Sequence, residues 1–174
     1  DSSSFAQEFG NLSWYCNPNL MLYNATVAPY LKKVNGNLDI ILTGSSEYPL
    51  TNFILLCTAG TGTLEIGGTL RVGGYVHIDG GTVNVAGGTS IYRISNASSS
   101  NIHPGALLTM KGGILNTPTL TVGPHIYFDE NNNFIPTTGI TILGGTVNIN
   151  GALTIHPTCV FRSTNTPVIN ITGH

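Results

Sequence analysis

Between Gly60 and Thr89 apolar residues come in pairs two apart, Leu64 and Ile66, Leu70 and Val72, Val76 and Ile78, Val83 and Val85, with Glu65, Arg71, His77 and Asn84 inside the pairs. Alternation with a period of two sends one set of side chains into a core and the other to the surface, which predicts short strands. Glycine pairs close the units, as in T-L-E-I-G-G-T-L-R-V-G-G. They suit corners that need positive φ or close backbone approach. The first inward position recurs at 64, 70, 76 and 83. Steps this short leave no room for helices or for hairpins of ordinary length. They predict an all-β fold, a short β-solenoid of the parallel β-helix kind, with a three-sided circuit of about nineteen residues and about 4.8 Å between coils.

The pattern returns downstream. Leu108 and Met110, Ile114, then Leu120 and Val122 keep the same step, with Asn116 standing where a second inward residue is expected. Ile140 and Ile142, Val147 and Ile149, Leu153 and Ile155 repeat the first block, and G-G-T-V-N-I-N-G nearly copies G-G-T-V-N-V-A-G. Two segments rich in Asn, Ser and Pro, 95–105 and 129–138, break the rhythm and read as loops leaving corners of the coil. Ahead of the repeats, Phe5, Phe9, Trp14, Tyr15, Tyr23 and Tyr30 follow no strict period, which suits a cap or arm over Asp1–Tyr30. Strand-like runs follow at Leu38–Thr43 and Phe53–Thr58. One structural domain results: 1–58 as cap or arm and first strands, 59–160 as solenoid, and 161–174 as a C-terminal strand. A β-sandwich with glycine turns is the alternative.

Composition narrows the function classes. The 174 residues suffice for one domain of five or six coils. Charged residues make up 8%, against about 25% in an ordinary soluble domain. With a net charge of −2 and six Lys and Arg, there is no basic surface for nucleic acid. No stretch approaches the roughly eighteen apolar residues of a membrane helix, so insertion in a membrane is not expected. Asp1 is preceded by no Met and no basic, apolar leader, and Thr, Asn, Ser and Gly abound. The expectation is a mature, extracellular or cell-surface chain.

That setting bears on the three cysteines, Cys16, Cys57 and Cys159. A Cys16–Cys57 disulfide is expected to tie the cap to the first coil, with Cys159 acting as a small apolar residue. Glycosylation sequons lie at Asn11, Asn24, Asn96 and Asn170, and Asn96 is the best exposed because it falls in a loop segment.

Candidate chemistry is sparse. The eight acids, Asp1, Glu8, Asp39, Glu47, Glu65, Asp79, Asp129 and Glu130, are scattered. Glu65 and Asp79 are fourteen residues apart, which is not a whole coil, so stacking does not pair them. Neither a catalytic function nor a cofactor is expected. Tyr75, His77 and Asp79 alternate on one strand face and offer a ring, an imidazole and a carboxylate, a candidate glycan-binding stripe on what is otherwise an ordinary solvated wall. His103, His125 and His156 do not have metal-ligand spacing. Asp129, Asn131 and Asn133 reproduce the opening of a calcium loop, but Phe134 and Ile140 stand where its glycine and closing carboxylate belong, so a polar turn is the better reading.

The units G-G-T-V-N-V, G-G-T-L-R-V and G-A-L-T-I, over 60–85 and 139–156, resemble the repeats of extracellular surface β-solenoids such as autotransporter passengers and filamentous adhesins. The resemblance implies an extracellular location and a structural or adhesive role. Members of those families are very long and anchored to a membrane, whereas this chain is short. A short coil exposes unpaired strand edges and core at both ends, which favours growth on a second copy. The leading expectation is therefore a secreted subunit that polymerises with itself, head to tail, into an extracellular filament. Asp1–Tyr30 or Val168–Thr172 would be the donated strand. Behind it stand a carbohydrate-binding adhesin or virus fibre-type domain directed at surface glycans, and then a polysaccharide lyase or hydrolase.

Overall fold

The structure, a computed structural model, describes residues 8–16, 25–26, 31–42, 54–57, 60, 62–92, 106–123, 138–164 and 166–173. Eighteen strands occur among the described residues, arranged as three parallel six-stranded sheets. Sheet 1 runs β1 (Leu12–Cys16), β4 (Leu38–Leu42), β7 (Thr69–Gly73), β10 (Gly88–Ile91), β13 (Leu120–Val122), β16 (Leu153–Ile155). Sheet 2 runs β2 (Ala25–Thr26), β5 (Ile54–Cys57), β8 (Tyr75–Ile78), β11 (Leu107–Met110), β14 (Gly139–Ile142), β17 (Val160–Ser163). Sheet 3 runs β3 (Lys33–Val34), β6 (Thr63–Ile66), β9 (Thr82–Val85), β12 (Ile114–Thr117), β15 (Thr146–Ile149), β18 (Val168–Ile171). Each strand passes to the next sheet, and every third strand returns one step along the axis. This is a three-sided β-solenoid of six coils. The β-sandwich alternative is overturned, because all the strand pairs are parallel and such pairs need a crossover between partners.

The core is the column inside the three sheets. Leu64, Ile66, Leu70, Val72, Val76, Ile78, Val83 and Val85 are all buried, as are Ile140, Ile142, Val147 and Ile149. Like residues stack in register, for instance Leu38 on Leu70 and Leu120 on Leu153. Complete burial of such a side chain contributes about 1.5–3 kcal/mol, so the column supplies the main driving force.

One register differs from the sequence reading. In the fourth coil Leu115 and Thr117 face the core, while Ile114 is 38% exposed and Asn116 points outward. The corner Lys111–Gly113 holds one more residue than a step of six allows, and a shift of one in a strand reverses both faces. Thr117 is tolerated inside because its hydroxyl accepts from Thr89 Oγ1 at 3.1 Å and donates to the Thr119 carbonyl at 2.8 Å.

A circuit of nineteen residues also holds for only part of the coil. Glu65 and Asn84 are nineteen apart, whereas Asn84 to Asn116 and Asn116 to Asn148 each take thirty-two. The excess lies in one place. Segments 17–24, 43–53, 93–105 and 124–137, all outside the described residues, each link a strand of sheet 1 to the next strand of sheet 2. In the third coil Gly74 alone makes that turn. The segments read as loops, 95–105 and 129–138, fall in sequence between a strand of sheet 1 and the next strand of sheet 2, and all but Thr138, buried just ahead of β14, lie outside the described residues. A corner between stacked strands absorbs such insertions without breaking a backbone ladder.

Both ends of the coil reach further than the repeats suggest. Leu12–Cys16, read within an aromatic cap or arm, is the first strand of sheet 1 and pairs residue for residue with β4. Trp14 and Phe9 pack, half buried, against the core. Likewise β17 and β18 close sheets 2 and 3.

Candidate functional site

The stripe on β8 is assembled, but much of its chemistry is already occupied. Tyr75 and His77 lie half buried on the outer face, and Asp79 follows at the corner. Lys111 places Nζ 3.8 Å from Asp79 Oδ2. Leu55 and Thr109 flank His77 on the neighbouring strands. Burial pushes the imidazole pKa down, and the Lys111 charge adds to this while Asp79 opposes it. The ring is therefore neutral at pH 7 and its carboxylate neighbour is engaged by a lysine.

The other described carboxylates are also engaged. Asp39 Oδ2 lies 3.6 Å from Arg71 Nη1 across β4 and β7. Glu65 accepts from Asn84, and Glu8 from both Lys33 and Asn35. The Glu8 carboxyl is held below its ordinary range by the Asn35 hydrogen bond first and by Lys33 second. Glu65 sits on sheet 3 and Asp79 at the corner beyond sheet 2, so the two are not brought into one site. No group of three His, Cys, Asp or Glu that could hold a metal occurs among the described residues. The calcium-loop residues Asp129, Asn131 and Asn133 lie outside them.

Of the sequons, Asn24 and Asn96 also lie outside the described residues. Asn11 and Asn170 are exposed, and both side chains take part in the coil: Asn11 Oδ1 accepts from the Asn37 peptide N–H at 2.8 Å, and Asn170 Nδ2 donates to Asn148. Cys57 is buried on β5, its Sγ 3.8 Å from the Thr82 carbonyl oxygen. Only the backbone is described at Cys16, so the Cys16–Cys57 pairing falls outside the described side chains. Cys159 Sγ lies 2.6 Å from the Gly123 carbonyl oxygen.

Sequence reasoning missed the most regular feature of the surface. On sheet 3 the outward residues Glu65, Asn84, Asn116, Asn148 and Asn170 form one axial row. Each asparagine donates from Nδ2 to the preceding member, at 2.7 Å in all four bonds, and the row ends on the Glu65 carboxylate. The ladder is polar. Its donors all point toward the first coil, and Asn170 is its last member on the sixth. The recurring V-N-V, L-N-T, V-N-I and I-N-I triplets carried this signal.

Lys33 and Glu8 continue the row at the other end. Lys33 is opposite Glu65 on β3. Phe9 makes a parallel bridge to Val34, which sets Glu8 beside Lys33. The Asn35 N–H donates to the Phe9 carbonyl at 2.7 Å, the Gly36 N–H donates to the Gly10 carbonyl, and Glu8 pairs with Lys33 at 3.2 Å. Gly36 leaves the room this needs, since a Cβ there would collide with Asn11 and Gly10. Residues 8–11 thus cover the outer edge of β3.

The sixth coil has no such cover among the described residues. Core rows that are fully buried within the coil run out there: Ile140 gives way to Phe161, 39% exposed, and Ile149 to Ile171, 49% exposed. Leu153, Ile155 and Ile169 end three further rows half buried. Beside them β16, β17 and β18 present the outer backbone edges of all three sheets. Comparison with protein-family models, with curated proteins and with solved structures finds no match to the chain.

Proposed function

We propose that this chain is a structural subunit that stacks end to end with copies of itself and forms a filament outside the cell. The observation that carries the reading is the end of the sixth coil, where Phe161 and Ile171 close buried core rows at 39% and 49% exposure beside three strand edges that no described strand covers. A flat apolar cross-section ringed by unpaired peptide groups is a template for further parallel strands. Burial of the end rows and completion of three backbone ladders favour a stacked copy. Contact of one end with the opposite end is heterologous and grows without closing. The low share of charged residues, 8%, leaves little repulsion against stacking and suits a surface location.

Electron microscopy and sedimentation of the purified chain over a range of concentrations test the reading. Fibres are expected with an axial repeat of roughly 30 Å, six coils at one strand spacing each. Phe161→Glu is expected to abolish them while the circular-dichroism signal of the strands persists. Dispersed single particles at millimolar concentration would overturn the reading.

A second reading, glycan binding, draws on an open groove beside the ladder, lined by Asn116, Asn148, Asn150, Asn170 and Thr172 together with Ile169 and Ile171. Amides in an axial row present both donors and acceptors to hydroxyl groups. Retention on immobilised polysaccharide, lost in Asn148→Ala, tests it.

A further inference from the structure

We infer that β18 of one copy and Glu8–Asn11 of the next compete for the same place, the outer edge of β3, and that β18 makes the filament joint by displacing that segment. The inference rests on the end-to-end reading above. It follows from register. Val34, Ile66, Thr117, Ile149 and Ile171 lie on one inward row, and Phe9 extends that row beyond Val34. In a continuous coil the strand after β18 belongs to sheet 1, and the first strand of the next copy, β1, also belongs to sheet 1. The position of sheet 3 just before that β1 is held within the next copy by Glu8–Asn11. In the stack β18 already stands there, with Asn170 in the place of Glu8 and Ile171 in the place of Phe9.

The two claimants are unequal. β18 is fixed within its own copy by four residues paired with β15 and by the Asn170–Asn148 hydrogen bond, so it enters the joint already ordered. Glu8–Asn11 holds its place by a single bridge, half-buried Phe9, a few hydrogen bonds that include Asn11 to Asn37, and an ion pair whose side chains are 48% and 61% exposed. Exposed pairs of this kind contribute little. Exchange also matches the chemistry of the ladder. Asn170 donates to Asn148 through Nδ2, and in the stack its Oδ1 comes within reach of the Lys33 ammonium of the next copy, a donor-only group that fits it. In sheet 1 the row ending at half-buried Ile155 meets Trp14, and in sheet 2 Phe161 meets the position of an alanine, Ala25.

The test locks the competing segment in the full chain. In the double variant Glu8→Cys and Lys33→Cys, neighbouring parallel strands place the two Cα atoms within disulfide reach. Oxidation is expected to slow fibre growth at least tenfold, reduction of the same sample to restore it, and wild-type chain under the same oxidant to be unaffected. Equal growth of locked and reduced protein overturns the inference and leaves end-to-end stacking standing. In a second arm, copies carrying Asn170→Cys are mixed with copies carrying Lys33→Cys and oxidised, and the linked peptides are identified by mass spectrometry. A 33–170 link between copies is expected. If wild-type chain forms no fibres, the end-to-end reading falls. Where fibres do form, absence of the 33–170 link between copies overturns the inference alone.

Discussion

Asn116 donates from Nδ2 to Oδ1 of Asn84 at 2.7 Å, although the two residues are thirty-two apart in the chain. The bond is the second of four rungs in a row that joins five coils across sheet 3, and its direction is the same in every rung. Because Asn84, Asn116 and Asn148 each both accept and donate, these interior members depend on the state of their neighbours.

Asn116→Ala is accordingly expected to lower stability by about 1–2 kcal/mol, since it removes two hydrogen bonds of partly buried groups. Asn116→Asp is expected to cost more at pH 7, because a carboxylate cannot donate to Asn84 Oδ1 and brings a charge beside it. Protonation restores a donor, so the gap between the Asp and Ala variants is expected to narrow at pH 4. Urea unfolding at both pH values checks this. Asn170→Ala, at the end of the row, is expected to stay within about 0.5 kcal/mol of wild type.

The register of β12 has a direct test. Leu115 is buried and Ile114 is 38% exposed, so Leu115→Ala is expected to cost about 2–5 kcal/mol. Ile114→Thr is expected to change stability by no more than about 0.5 kcal/mol. The register continued from the sequence step, with Ile114 inward, requires the opposite order. Chemical denaturation of the two variants separates them.

At the corner from sheet 2 to sheet 3, Gly81, Gly113 and Gly145 stack in successive coils with φ of 66°, 76° and 85°. A side chain is strained at that φ, and a Cβ on Gly113 would stand 2.6 Å from the Gly80 carbonyl carbon. Gly113→Ala is expected to destabilise by more than about 1 kcal/mol, against the small gain that Gly→Ala brings where the backbone is permissive. Exposed Gly10, where a Cβ meets nothing within 4 Å, is the matched control. Thermal melts of the two variants compare them.

His77 makes stability depend on pH. Its folded pKa lies below the ordinary 6.5, chiefly through burial and then through Lys111, with Asp79 opposing. As pH falls, the unfolded chain therefore takes up this proton before the folded one does. The contribution is fully present above the unfolded value and is lost as pH falls from about 6.5 toward the folded pKa. The melting temperature of wild type is expected to drop more than that of His77→Gln between pH 7 and 5. Parallel curves would remove His77 as the source.

Much of the fold was legible before any coordinates. Paired apolar residues and glycine corners specify strands, faces and a coil, because these are local properties of a chain with a period of two. The fourth coil shows the limit. Counting steps cannot tell whether Gly113 belongs to a corner or a strand, and that single residue decides which of Ile114 and Leu115 is buried. The stripe of Tyr75, His77 and Asp79 was visible for the same local reason, whereas Lys111, which engages its carboxylate, arrives from another coil.

By itself, then, the sequence determined an all-β chain of short strands with a continuous apolar column and little charge on its walls. Only the tertiary structure decided which residues stack. Insertions of different length at one corner change the spacing between coils from nineteen to thirty-two residues, so no fixed interval links the members of a row. For that reason the asparagine ladder, the cover that Glu8–Asn11 lays on β3 and the open rows at Phe161 and Ile171 emerge only when the coils lie one upon another.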